Sequence, residues 1–514
     1  MSTTPQMSQS GFQDDQLEAG AREDVGAEAQ EKPLSPTGTM VDEPQSNPDV
    51  VDWDGPDDPE HPLNWSKAQK NLHVGIVSMS TLAANLAATM FAPGAAELSD
   101  EFNITNATVT AMTVSLYVLG FALGPLLLAP LSELYGRLIV YHFCNLVYMA
   151  FTLGCAFSTN VAMFLVFRII AGCAASGPMS IGGGTVADLF VQEQRGKAMA
   201  LFAAGPLLGP VIGPIIGGFV SENVGWRWTF RILLILVPQS GILAAATFAL
   251  MKETNHTVIL QKKALRMRKE TGNEKFVAKL SRDETPGQML ARAIVRPLKL
   301  LIFSPIVLLV SLYTGILFGL IFLLFTTFPS VFQDVYGFNP GVAGLAYLGL
   351  GIGMGLGLLM FSVLSDKLLG SKKGEEKAAP RPEDRLLLMK WLGPITPLGL
   401  FIYGWTAENG VHWIAPIIGT FIVGFGSLFV VIPGQIYLVD AFGAEAAASA
   451  MAANLLVRSP FGAFLDLTAE PLYSKLGLGW GNSVLGFITL AFTPVPWIFY
   501  TYGERLRTHF KVDL

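Results

Sequence analysis

A chain of 514 residues that is 51% hydrophobic and only 14% charged, with a mean hydropathy of +0.47, is too apolar for an ordinary soluble protein. Its net charge of −6 misleads as a whole-chain figure: residues 1–71 hold 15 acidic and four basic side chains, and residues 72–514 are net basic. Cys144, Cys155 and Cys173 all fall in apolar segments, which argues against a disulfide framework.

Residues 1–71 are rich in Asp, Glu, Ser, Gln and Pro and bury too little to offset ordering entropy, so a disordered acidic cytoplasmic tail is expected. The first apolar run starts near Leu72, too late for a cleavable signal peptide. Runs near bilayer length come at about 72–93, 111–131, 139–157, 162–186, 198–220 and 229–251. A second set lies at about 300–328, 341–363, 387–407, 412–438, 447–468 and 480–501. The expected fold is an all-α membrane protein with twelve transmembrane helices in two six-helix bundles, 72–251 and 300–501. A central loop, 252–299, joins them, and 502–514 forms a C-terminal tail.

The central loop carries twelve Lys or Arg, and 364–386 carries six more, so both termini and the central loop are expected on the cytoplasmic side. Asn103-Ile-Thr and Asn106-Ala-Thr then lie outside as glycosylation acceptors, close to the membrane. Between Gly205 and Gly218 the chain reads G-P-L-L-G-P-V-I-G-P-I-I-G-G. That density of helix breakers is ruinous in water but tolerated in lipid, where small residues let helices approach closely. Arg168 lies inside the fourth run, where a charge is expensive and normally functional; snorkelling to the outer surface is the alternative.

Several of these stretches, taken together and in order, resemble the fungal twelve-span drug:proton antiporters of the major facilitator superfamily. Gly209-Pro210-x-x-Gly213-Pro214-x-x-Gly217-Gly218 resembles the antiporter motif of the fifth helix. Pro130-Leu-Ser-Glu133-Leu-Tyr-Gly136-Arg137 is similar to the loop signature between spans 2 and 3, and Leu364-Ser-Asp366-Lys-Leu-Leu-Gly370 echoes it after span 8. The resemblance implies a cytoplasmic gate in which Arg137 pairs with Glu133 or Asp188. It also implies proton coupling through Arg168 and carboxylates such as Asp188. Val51–Ser66 resembles the pre-membrane segment of the same family, and further matches reach Arg458. Two departures stand out. Ala171 replaces the glutamine usual before Gly172, and Phe464-Leu-Asp466-Leu replaces F-P-L-F. Asp466 reads either as a solvated helix end or as a residue bearing on substrate release.

No phosphate-binding loop, metal-ligand spacing or catalytic constellation appears, so no enzyme, cofactor or metal is expected. The expected partners are a small-molecule substrate, protons and the lipid bilayer, with no nucleic acid, for a monomer. With arginine but no carboxylate at the middle of any span, a cation is the less favoured cargo. Export of an organic acid, secondary metabolite or drug across the plasma membrane is expected, with the vacuolar membrane as alternative. A polyamine carrier and a non-transporting sensor are the rival readings. Candidate cavity residues are Asn85, Tyr117, Ser176, Gln239, Tyr313, Tyr347, Gln435, Asn454 and Arg458. Replacing Gly213 by leucine is expected to harm transport more than folding.

Overall fold

The computed structural model describes residues 49–191, 194–235, 247–280, 285–372 and 381–510. The first half holds α1 (Lys67–Thr89), α2 (Ala95–Glu101), α3 (Ala107–Tyr135), α4 (Arg137–Ala156), α5 (Val161–Leu189), α6 (Arg195–Val224) and α7 (Arg227–Ile235). Two helices occupy the central region, α8 (His256–Thr271) and α9 (Pro286–Phe303). The second half holds α10 (Pro305–Asp334), α11 (Pro340–Leu345), α12 (Tyr347–Lys372), α13 (Leu386–Leu392), α14 (Ile395–Glu408), α15 (Ile414–Phe464), α16 (Ala469–Ala491) and α17 (Pro494–His509). The only strands among the described residues are β1 (Val50–Val51) and β2 (Val277–Ala278), paired in parallel.

Ten stretches among the described residues are long and apolar enough to cross a membrane. The expected sixth span runs through 236–246, outside the described residues, and the stretch Ala446–His509 contains both the eleventh and the twelfth. Helical geometry is interrupted at Gly443 within α15 and at Gly477 within α16, where those spans turn. Side chains fix several helix starts: Ser66, Asn106, Asn160 and Ser304 each accept a first-turn N–H, a contact worth about 1 kcal/mol. Pro125 and Pro130 in α3, Pro178 in α5 and Pro206, Pro210 and Pro214 in α6 all lie inside continuous helix, as membrane packing permits.

Two separate cores define the two bundles. Phe91, Tyr117, Tyr148, Phe164, Trp226 and Phe230 fill the first, and Tyr313, Phe325, Tyr347, Tyr403 and Phe499 the second. Glu253 and His256, at the head of the central region, touch Arg137 and Asp188, and this end of the molecule is the loop side. The opposite, loop-distal face carries Asn106, Asn160, Val224 and the α10–α11 junction. There the bundles meet. Gly218 of α6 lies on the backbone of Pro340 and Gly341, Glu222 Oε2 accepts the Gly341 N–H at 3.0 Å, and Gly351 lies against Val211. Val118 of α3 belongs to the second bundle's core.

The expected disordered tail needs correction in its last part. Residues 1–48 lie outside the described residues, but 49–66 are docked on the central region. Lys263 Nζ meets Asp54 Oδ1 at 2.7 Å and Asp58 Oδ2 at 3.4 Å, and Arg266 meets Glu60 at 3.2 Å. Trp53, His61 and His256 form a cluster of tilted rings, with centroids 4.3 Å apart for Trp53–His61 and 4.9 Å for His61–His256. Acidic composition alone hid this, because the basic partners sit some 200 residues later.

Candidate functional site

On the loop side, Gly136 links α3 to α4 with a φ of +102°, a value that side-chain-bearing residues rarely adopt. This turn aims the first N–H groups of α4 at the Glu253 carboxylate, which accepts from Arg137 at 2.9 Å and Leu138 at 3.2 Å. The same carboxylate accepts from Thr254 and Asn255, so one acid caps one helix and ties off the chain leaving the first bundle. Arg137 then lies over Gly184, its Nε 3.3 Å from Asp188 Oδ2 and its Nη1 2.7 Å from Ser132 Oγ. Of the two expected partners, Asp188 forms the ion pair. Glu133 offers its backbone carbonyl to Asn255. Sequence reading missed Glu253, whose only signal was an acid directly after an apolar span. Asp366 lies in α12, and its side chain is outside the described residues.

Arg168 is enclosed in the first bundle, only 1% exposed, and does not snorkel. Its Nε donates to the Thr113 carbonyl at 3.0 Å and its Nη1 to the Ala87 carbonyl at 3.3 Å. Rings complete the enclosure: Tyr117 lies 4.6 Å from the guanidinium carbon, with Phe91 and Phe230 beyond 5.5 Å. Nε and Nη1 are thus bonded to carbonyls, while Nη2 is buried without a hydrogen-bond partner among the described residues. Asp188 lies 20 residues along α5, about 30 Å away, so the two do not form one site.

The α6 glycines form a seam with two faces. Gly205, Gly209, Gly213 and Gly217 lie against α1 and the residue after it, touching Leu82, Asn85, Leu86 and Met90. Thr89 Oγ1 donates to the Pro210 carbonyl at 3.3 Å. Gly218 faces the other way, onto Pro340, and the Pro214 carbonyl approaches Gly344. The motif thus locks α6 to its own bundle at four-residue intervals and, through Gly218 and Pro214, brings it against the other bundle.

In the second bundle, Asn454 Nδ2 donates to Thr314 Oγ1 at 2.7 Å, and one turn later Arg458 lies over Phe318, 4.7 Å from its centroid. Among the described residues no carboxylate pairs with Arg168 or Arg458.

A family model described as Major Facilitator Superfamily matches residues 77–465. The chain belongs to the Major Facilitator Superfamily. It is 90% identical over 514 residues, all of both chains, to a Gibberella fujikuroi protein named trichosetin biosynthesis cluster MFS transporter. It is 82% identical over 504 residues, 98% of each chain, to the MFS transporter fsa7 of a Fusarium species. Among solved structures, a D-xylose–proton symporter aligns with a TM-score of 0.61 at 14% identity, covering 83% of this chain and 98% of that one. A bacterial homologue of the human lysosomal transporter Spinster aligns with a TM-score of 0.59 at 13% identity, covering 87% and 100%. These two likenesses concern the fold. The chain is a multi-pass membrane transporter of small molecules, and not an enzyme.

Within this facilitator fold, several candidate cavity residues have partners inside one bundle. Tyr117 donates to the Ala84 carbonyl at 3.0 Å, Ser176 to the Cys173 carbonyl at 2.7 Å, and Tyr347 to the Phe325 carbonyl. Tyr313 is fully buried and stacks on Phe492. Asn85 is half-buried and bonded to the Thr81 carbonyl, and Gln435 is half-buried on α15. Gln239 lies outside the described residues. Asn103, exposed and with a φ of +53°, and Asn106, whose side chain caps α3, both lie on the loop-distal face.

Asp466 corrects the solvated reading. It is 2% exposed, at the foot of a 3₁₀ turn (Asp466–Thr468) that packs against α3 and α10. Thr326 Oγ1 donates to its Oδ1, and Oδ2 has no partner. No pattern in the sequence marked this burial, because the turn comes where a helix end was expected.

Proposed function

We propose that this facilitator exports a small organic acid or neutral secondary metabolite across the plasma membrane, driven by inward proton flow and acting as a monomer. The observation that carries the reading is the pair of buried arginines, Arg168 and Arg458, one in each bundle, with no carboxylate partner among the described residues. A desolvated cation such as a polyamine needs carboxylates to compensate it; an anion or an uncharged apolar compound does not. The relative named for trichosetin biosynthesis supports a metabolite as cargo. The proton dependence rests on the match of Arg168 and the α6 motif to drug:proton antiporters. The vacuolar membrane is the alternative location.

The test is efflux from cells expressing the chain, over trichosetin, organic acids, drugs and polyamines, with and without a protonophore. Saturable efflux of trichosetin, an organic acid or a drug that collapses with the gradient is the expected result. Efflux of polyamines alone overturns the charge argument. No flux of any compound from a correctly placed protein turns the reading to a membrane sensor.

A further inference from the structure

We infer that Asp466 is the carboxyl that binds and releases the coupled proton, and that its burial is tied to closure of the loop-distal face. This rests on the proposed proton-driven export.

Asp466 follows the end of α15, on the loop-distal side. Its turn packs against α3 of the first bundle and α10 of the second, so it belongs to the junction that closes the loop-distal face. Leu465, beside it, lies on Gly319 of α10, and Gly462, one turn earlier, lies between Phe318 and Val118 of α3. When the bundles separate here, the contacts that cover Asp466 on the α3 side are the ones that break.

Its surroundings contain no cation to hold it ionised. The groups facing it are the Thr326 hydroxyl and, electrostatically, the phenols of Tyr347 and Tyr473. From the neighbouring elements, the only charged residue of α3 is Glu133, at its far loop-side end, and of α10 Asp334, exposed at its last residue; Tyr117 and Tyr135 on α3 and Tyr313 on α10 are their other titratable groups. Arg458 is eight residues back on α15 and lies over Phe318, while Glu470 and Lys475 on α16 are exposed. As a carboxylate, Asp466 leaves Oδ2 a desolvated charge with no partner; as a neutral acid it occupies the same place at much lower cost. Water reaching it from the loop-distal side as the face opens removes that penalty. Binding of a proton at Oδ2 therefore favours the closed face, and loss of that proton favours its reopening. Asp188, by contrast, is occupied by Arg137, Thr254 and the loop-side gate.

The experiment uses the full chain in liposomes, with trichosetin and protons as probes. One proton exchanged per substrate supports about tenfold accumulation per pH unit imposed. Asp466→Asn should exchange trichosetin across the membrane with no gradient, yet fail to accumulate it when a gradient is imposed, and Asp466→Glu should restore part of the gradient response. In substrate-free samples, the infrared C=O stretch of a protonated carboxyl should change with pH in the parent protein and lose a component in Asp466→Asn. If Asp466→Asn does not fold, Thr326→Val, which removes only the hydroxyl donor, must shift the pH dependence of that band and of transport. Gradient-driven accumulation equal to the parent in Asp466→Asn, or an unshifted profile in Thr326→Val, overturns the inference and leaves proton-driven export standing. A parent protein that transports trichosetin without regard to the gradient overturns the export reading, and this inference with it.

Discussion

Gly218→Ala adds one methyl group where α6 meets the backbone of Pro340 and Gly341. The new Cβ would fall on the Pro340 carbonyl oxygen and within 3.2–3.3 Å of its carbonyl carbon and the Gly341 Cα. These are backbone atoms at the start of α11, so the contact cannot be relieved by a rotamer change. Overpacking of this kind costs about 1–3 kcal/mol. Because the clash exists only when the bundles are closed on the loop-distal face, it acts on one conformation and shifts the balance by about 5–150-fold. Gly217→Ala is the control, since its Cβ would strike the Met90 backbone inside the first bundle and penalise both conformations alike. Spin labels at the exposed positions Asn223 and Val342, on opposite bundles, report the separation. Gly218→Ala should populate a longer distance with little change in thermal stability, and Gly217→Ala should lower stability with the distance unchanged. An unchanged distance distribution in Gly218→Ala, or a shifted one in Gly217→Ala, would refute the two-faced seam.

The same geometry yields three further expected outcomes. Glu253→Ala removes the acceptor of the Arg137 and Leu138 amides and should cost about 1–2 kcal/mol, read as a lower melting temperature and faster proteolysis of the loop side. Arg168→Lys keeps the charge but cannot reproduce both carbonyl bonds, so melting temperature and transport should fall together; full retention of both contradicts the enclosure. Docking of 49–66 on the central region should weaken in acid. Burial, with His256 close by, holds the His61 pKa below its usual value. Asp58 is pushed up by burial, but the Asp54 and Glu60 amides and Lys263 outweigh this and hold it low. The docked state thus binds fewer protons than the free segment, so docking is full above the ordinary histidine value of about 6.5 and is lost as pH falls below it. Hydrogen exchange at the Val277 and Lys279 amides, bonded to Asp49 and Val51, should accelerate between about pH 7.5 and 5.5 beyond the intrinsic rate change; constant protection contradicts it.

The fold was largely legible because span length and hydropathy are local signals: the described helices long and apolar enough to cross a membrane fall where the apolar runs do, and the bilayer allows little else. Arg137, Arg168 and the α6 glycines were legible for a related reason, since a charge or a breaker inside an apolar run has few tolerable explanations. What the sequence did not disclose depends on contacts between distant residues. Glu253 serves α4 from 116 residues away. Asp466 looked like a helix end and is buried because α3 and α10 close over it. Tyr117, Ser176, Tyr313 and Tyr347 read as cavity groups because they are polar, yet their enclosure within one bundle reflects which way each helix turns. Gly213, expected to matter for transport more than for folding, lies on α1 within its own bundle, so a leucine there strikes the fold directly; Gly218 holds the face between the two bundles.

Transport by the purified chain in liposomes with an acidic lumen tests the central claim most directly, with protein-free liposomes alongside. Proton-driven antiport predicts that the compound found to leave cells expressing the chain accumulates in the acidic lumen against its own gradient and that dissipating the pH difference releases it. Passive movement of a weak acid runs toward the alkaline side and that of a neutral compound only equilibrates, so the direction of accumulation separates antiport from either. Uptake that only equilibrates, whatever the pH difference, contradicts proton-driven export.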